Sequence, residues 1–113
     1  MLIVINGMRT KAGLNNREHH MARHRRVKAE MEQVAWVLIA RGCTRPKLPA
    51  VITLMRVAPS NGLDDDNLAG ALKSVRDAVA IWADVDDRHK HIIRYEYDQR
   101  RGPWGVEISW PDA

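Results

Sequence analysis

Apolar and polar residues alternate along this chain with two different periods, and the switches between them mark its elements. The run LIVI at 2–5 predicts a first strand. Residues 6–17 hold Gly7, Gly13, Asn15 and Asn16, which break regular structure and predict a loop. From about 18 to 41 the period lengthens. Val27, Met31, Val34, Ala35 and Leu38 fall at i, i+4, i+7, i+8 and i+11, one face of a helix that Gly42 can stop. CTRPKLP connects to AVITLMRV (50–57), whose β-branched residues predict a strand, and APSNG (58–62) turns the chain. Leu68, Ala71, Leu72, Val75, Ala78, Val79 and Trp82 then give a second helix with an apolar stripe, followed by the loop ADVDDRHKH. IIRYEYD (92–98) alternates, with Ile93, Tyr95 and Tyr97 on one side. QRRGPWG turns, and VEISW (106–110) alternates again, so the last two strands predict a hairpin. The order β-α-β-α-β-β predicts an α+β fold: one domain over 1–113, a small mixed sheet packed with two helices.

The length of 113 residues supports one core, and 45% apolar residues suffice to fill it without disulfides. Cys43 is the single cysteine, so no intrachain disulfide forms, and a reducing, cytoplasmic compartment is expected. MLIVI is too short for a signal peptide, and the longest apolar run, VAWVLIA (34–40), is far short of a membrane span.

Charge changes the picture more. The net charge is +4, but it is unevenly spread. Residues 1–28 hold seven cations (Arg9, Lys11, Arg17, Arg23, Arg25, Arg26, Lys28) against one acid, Glu18. Seven of the 14 acids fall between Asp64 and Asp87. A cationic end and an acidic middle suit a polyanion held beside a metal site, and also suit an uneven, solvated surface.

The acidic middle opens with LDDDNLAG, three adjacent carboxylates at the mouth of the second helix. One acid there is ordinary capping, with Asp66 a candidate N-cap; three exceed what a cap needs. In an extended approach to the helix, Asp64 and Asp66 project to one side. Asp66, Gly70, Lys73 and Asp77 share one face of a continuous helix. Asp86 and Asp87 follow in the next loop, which the returning strand can carry back toward the helix start. Carboxylates gathered in this way suit Mg²⁺ or Mn²⁺, which take oxygen ligands and keep several waters. The EF-hand pattern fails, because Leu68 and Ala69 stand at its fifth and sixth positions. From the residues alone, a metal site and a solvated capping cluster both stand.

The run DDDNLAGALKSVRDAVAIWADVDD resembles the signature of the RusA family of Holliday junction resolvases, found in phages and bacteria. That signature is Asp-x-Asp-Asn-Leu, a helix of about five turns, then a hydrophobic or aromatic residue shortly before Asp-Asp. Here its parts are Asp64, Asp66, Asn67 and Leu68, then Trp82, then Asp86 and Asp87. The close match covers about 25 residues, and the element order extends it loosely over the chain. The resemblance implies a homodimeric, Mg²⁺-dependent endodeoxyribonuclease that makes paired symmetric nicks in four-way junctions during DNA recombination and repair. It implies Asp64, Asp66 and Asp87 as metal-binding catalytic residues, with Asp86 beside them. One departure stands out. The family often has a lysine four residues after the second aspartate, where this chain has Gly70. Lys73 is the nearest substitute, and a solvated surface lysine is the alternative for it.

Asn15, Asn16, Arg17, Arg23, Arg25, Arg26 and Lys28 are the expected DNA contacts; such cations neutralise phosphates and position a protein without reading sequence. His20 and His24 lie at i, i+4, a zinc spacing that no cysteine or acid nearby completes. Trp104, in the last turn, is the aromatic residue outside the apolar faces. The expected function is junction resolution; the alternative is a protein of the same fold that binds branched DNA and cuts it weakly or not at all, which the Gly70 departure favours.

Overall fold

The computed structural model describes residues 1–10, 20–83 and 92–111. Its elements are β1 (Leu2–Asn6), α1 (His20–Ala40), β2 (Ala50–Ala58), α2 (Asp65–Ala71), α3 (Lys73–Trp82), β3 (Ile93–Arg101) and β4 (Gly105–Ser109). The α+β class and the mixed sheet expected from the sequence are present. The four strands lie in the order β1-β4-β2-β3. β4 runs antiparallel to both β1 and β2, and β3 runs parallel to β2. Hence β1, β2 and β3 point the same way, and α1 and the α2–α3 pair each carry the chain back between parallel strands.

Side-chain alternation divides the sheet into two faces. Ile3, Ile5, Ile52, Leu54, Val106 and Ile108 point to one face and are at most 2% exposed. They meet Val34 and Leu38 of α1, Leu72 between α2 and α3, and Val75 and Val79 of α3 in one core. Each such side chain contributes about 1.5–3 kcal/mol on burial, so this single layer of contacts carries the fold. Trp82 closes one end against Trp110, ring centroids 5.5 Å apart. The other face is mixed: on β3 Arg94, Glu96 and Asp98 are exposed and Arg100 reaches across β2 to an ion pair with Glu107, while β1 and β2 present Leu2, Val4, Val51 and Met55. α1 and α3 also meet through polar groups. The buried Glu30 accepts hydrogen bonds from Arg26 (2.9 Å) on its own helix and from Ser74 (3.0 Å) on α3.

Three expectations are corrected. The last two strands do not form a hairpin: β2 lies between them, and the connection crosses its end, Gly102 N–H donating to the Ala58 carbonyl at 3.0 Å. The β-branched, apolar β2 takes the sheet centre, where both its edges can pair, and alternation within a strand does not disclose its neighbours. β3 runs on to Arg101 rather than ending at Asp98, because it pairs with β2 as far as Ala58. The second helix is interrupted at Leu72 (φ −100°, ψ 6°) and becomes α2 and α3, so the order is β-α-β-α-α-β-β. Leu72 is fully buried, and its side chain fixes the bend against the sheet. No helix among the described residues is long and apolar enough to cross a membrane.

Candidate functional site

The carboxylate turn begins where β2 ends. Asp64 (φ −68°, ψ 169°) is the N-cap of α2, and its Oδ1 accepts the Asn67 N–H at 2.9 Å. Its carbonyl also accepts the Leu68 N–H at 2.8 Å. Asp64 rather than Asp66 is therefore the cap, and the helix starts at Asp65, earlier than the sequence suggested. Unpaired N–H groups and partial positive charge at a helix start favour carboxylates, so three of them draw the first turn back to the first acid. Asp64 itself keeps an extended backbone, and Asp66 stands in the first turn of the helix that follows. All three aspartates are exposed.

A distant residue holds this turn. Gln99 of β3 clamps Leu63, accepting its N–H at Oε1 (2.8 Å) and donating from Nε2 to its carbonyl (2.7 Å). Gly62 makes room for the clamp: a Cβ there would stand 3.0 Å from the Gln99 amide carbon and oxygen. Gln99 falls in QRRGPWG, which the residue pattern marks as a turn, so nothing local distinguishes it. Arg56 was also missed. It occupies the inward position after Ile52 and Leu54 on β2 and is only 4% exposed. A cation in phase with an apolar stripe is a signal that was available.

Lys73 is exposed and gives its ammonium to Asp77 at 2.9 Å, one turn further along α3 from the aspartates. Arg76 bonds the other oxygen of Asp77 at 3.1 Å. Burial pushes the Asp77 carboxyl up, but the hydrogen bonds from Lys73 and Arg76 outweigh it and hold it below the usual carboxylate range. Of the expected DNA contacts, Arg23, Arg25 and Lys28 are exposed on the first turns of α1, and Arg26 is half-buried against Glu30. α1 starts beyond the C-terminal end of β1 and α2 beyond that of β2, so the basic helix start and the carboxylate turn share one end of the sheet. The Arg26–Glu30–Ser74 chain ties them together. Ser74 lies eight residues beyond Asp66, about 12 Å along the helices. Asn15, Asn16, Arg17, Asp86 and Asp87 lie outside the described residues.

The residues that bracket 84–91 are described, and they lie at the other end. Ala83 follows α3, and the Ile92 carbonyl accepts the Ala50 N–H at 2.9 Å, at the beginning of β2. The carboxylate turn is held at Gln99, opposite Arg56, six residues along β2 from Ala50 and about 20 Å away. Five residues from Ile92 back to Asp87 span at most about 17 Å. That reach is shorter than the gap between the two ends, and the expectation that this loop returns to the helix start falls on residues outside the described ones.

Asp64 and Asp66 offer only hard oxygen donors on an exposed turn, which fits a partly hydrated Mg²⁺ and not a thiolate- or imidazole-preferring metal. Among the described residues no three His, Cys, Asp or Glu side chains gather into a metal-holding group, so this turn would be part of a site rather than all of it. No protein-family model matches the chain, and no curated protein matches it.

Proposed function

We propose that this protein is a metal-dependent endodeoxyribonuclease of branched DNA, with four-way junctions as substrate and recombination and repair as setting. The observation that carries the reading is the pairing, at one end of the sheet, of an exposed Asp64–Asp66 turn with the cationic first turns of α1. The resemblance of DDDNLAGALKSVRDAVAIWADVDD to the RusA signature names the chemistry. Asp64, Asp66 and Asp87, with Asp86 beside them, would hold Mg²⁺ or Mn²⁺, which when bound polarises a phosphoryl oxygen and supplies a nucleophilic water. Gln99 keeps the turn in place through Leu63. Arg23, Arg25 and Lys28, with Asn15, Asn16 and Arg17 ahead of them, hold backbone phosphates beside it.

Ala83 and Ile92, which bracket the second acidic segment, lie at the far end of the sheet from Asp64 and Asp66, and this supports a two-fold dimer in which one copy supplies Asp64 and Asp66 and the other supplies Asp87. Trp36, Ile39 and Ile81 leave apolar side chains 67–71% exposed on α1 and α3, which suits association. A two-fold dimer also matches the symmetry of a four-way junction. A cytoplasmic location, in a bacterium or a phage-infected cell, follows from the substrate.

The test is cleavage of a labelled immobile four-way junction and of a linear duplex, in Mg²⁺ or EDTA. Paired nicks in the junction alone, lost in EDTA and in Asp66→Asn, are expected; no Mg²⁺-dependent nicking of any DNA sinks the reading. Asp66→Asn mixed with Asp87→Asn tests the shared site: half the dimers are mixed, each restores one of two sites, and about a quarter of wild-type activity returns. No recovery places both segments in one chain. The second reading, a branched-DNA binder that does not cut, is favoured by the Lys73–Asp77 pair, which occupies the substitute for the family lysine. Tight junction binding without nicks in Mg²⁺ or Mn²⁺ is its signature.

A further inference from the structure

Arg56 is a buried charge with no carboxylate beside it among the described residues. Its Nε donates to the Thr10 carbonyl at 3.0 Å, and its guanidinium carbon lies 5.4 Å from the centroid of the Trp104 ring. Burial lowers its affinity for the proton, as expected for a cation drawn into a core without a partner. Buried charges are ordinarily paired, because leaving water without compensation is expensive. The end of this side chain is not sealed. Among the described residues no Arg56 nitrogen is both fully buried and without a partner.

Its place in the sheet is informative. On β2, Arg56 stands beside Gln99 of β3, the residue that clamps the turn leading to Asp64. On the other side it reaches past the start of β4 to Thr10, from which the chain enters the basic segment. The guanidinium thus lies between the carboxylate turn and the origin of the basic arm. A cation there repels a metal ion, so the metal does not account for it. An anion does. One edge of the fork is fixed at Nε by a carbonyl and its plane is backed by an indole, so the two terminal nitrogens keep the geometry that a phosphate accepts from two donors.

We propose that Arg56, held by Thr10 and Trp104, is the receptor for one backbone phosphate of the bound nucleic acid, next to the carboxylate turn. The proposal rests on the nucleic-acid reading above and adds a buried residue to it.

Arg56→Met and Arg56→Lys are compared with wild type in two measurements. The first is thermal unfolding without and with inorganic phosphate. Wild type is expected to gain stability with phosphate, and Arg56→Met to match or exceed wild type without it while losing the gain. The second is binding of a labelled four-way junction in EDTA across a salt series. Arg56→Met is expected to bind roughly tenfold to a hundredfold more weakly, with a log–log salt slope smaller by about 0.9, one phosphate. Arg56→Lys keeps the charge and the slope but loses affinity with the fork, which keeps the test open should the methionine variant not fold. Arg56→Met less stable than wild type, with junction affinity and salt slope unchanged apart from that loss, makes Arg56 a structural residue and overturns the proposal. Wild type that binds no DNA while keeping its response to phosphate overturns the nucleic-acid reading instead, and with it the assignment of this phosphate to a DNA backbone.

Discussion

Replacing Gln99 by leucine removes both hydrogen bonds to Leu63 while keeping nearly the same volume. Each of the two bonds, 2.8 and 2.7 Å, is worth about 0.5–1.5 kcal/mol net, and Leu63 is only partly buried, so water replaces part of what is lost. The expected cost is about 1–2 kcal/mol, which for a domain of this size lowers the unfolding temperature by roughly 4–8 °C. Urea and thermal unfolding followed by circular dichroism read the global term. Amide exchange reads the local one: the Leu63 and Asn67 N–H groups should exchange faster than in wild type by more than the global change accounts for, while Ile52, in the middle of β2, follows global stability. Because the Asp64 turn is released, junction cleavage should fall further than the folded fraction does. Unchanged unfolding midpoints together with unchanged exchange at Leu63 would refute the clamp, and with it the reasoning that a β3 residue positions the carboxylate turn.

Asp64→Ala should cost about 1 kcal/mol through loss of the N-cap and Asp64→Asn only a few tenths, since asparagine caps as well; equal urea midpoints for the two variants refute the cap. Burial pushes the Tyr95 phenol up to about 12, and its Oη has no partner among the described residues, so Tyr95→Phe should be at least as stable as wild type at pH 7. Because that phenol titrates higher folded than unfolded, wild type loses this contribution as pH rises from about 10 to about 12, and the Phe variant should lack that loss; parallel stability curves for the two count against it. Asp77 is held below its ordinary value, so its contribution is present above about pH 3.9 and lost as pH falls through the folded value; Asp77→Asn should cost under about 1 kcal/mol at pH 7, with the gap closing in acid, as unfolding at pH 7 and pH 2 will read.

What could be read from the sequence was what local periodicity controls. The Val34–Leu38 stripe, the inward Val106, Ile108 and Trp110 and the paired Tyr95 and Tyr97 all follow from side chains counted along one element. Pairing between strands was not readable, because the chemistry that places β2 at the sheet centre also suits a strand in a β3–β4 hairpin. The aspartates were found because their crowding is visible in seven residues. Their anchoring was not, since Gln99 lies 36 positions from Leu63 and looks like part of a turn. Asp66 was mistaken for the cap for a related reason: the boundary of α2 is set by which carboxylate best meets the free N–H groups, and three adjacent candidates differ only in three dimensions. Arg56 carried a weak signal, a charge in phase with Ile52 and Leu54, whose meaning depended on Thr10 and Trp104 arriving from elsewhere.

The wedged position of β4 also sets the order of events during synthesis. Among the described residues β1 pairs with β4 alone, and β2 pairs with β4 on the side that faces β1. As the chain leaves the ribosome, β2, α2, α3 and β3 can assemble as a parallel unit, while Ile3 and Ile5 have no strand to rest beside. Until residues 105–109 emerge, β1 and one edge of β2 stay open to pairing with other chains, the hazard that exposed strand edges carry. β4, made after the other three strands of this sheet, is therefore the one that joins the two halves, and a nascent chain stalled ahead of Gly105 would be the species most in need of a chaperone.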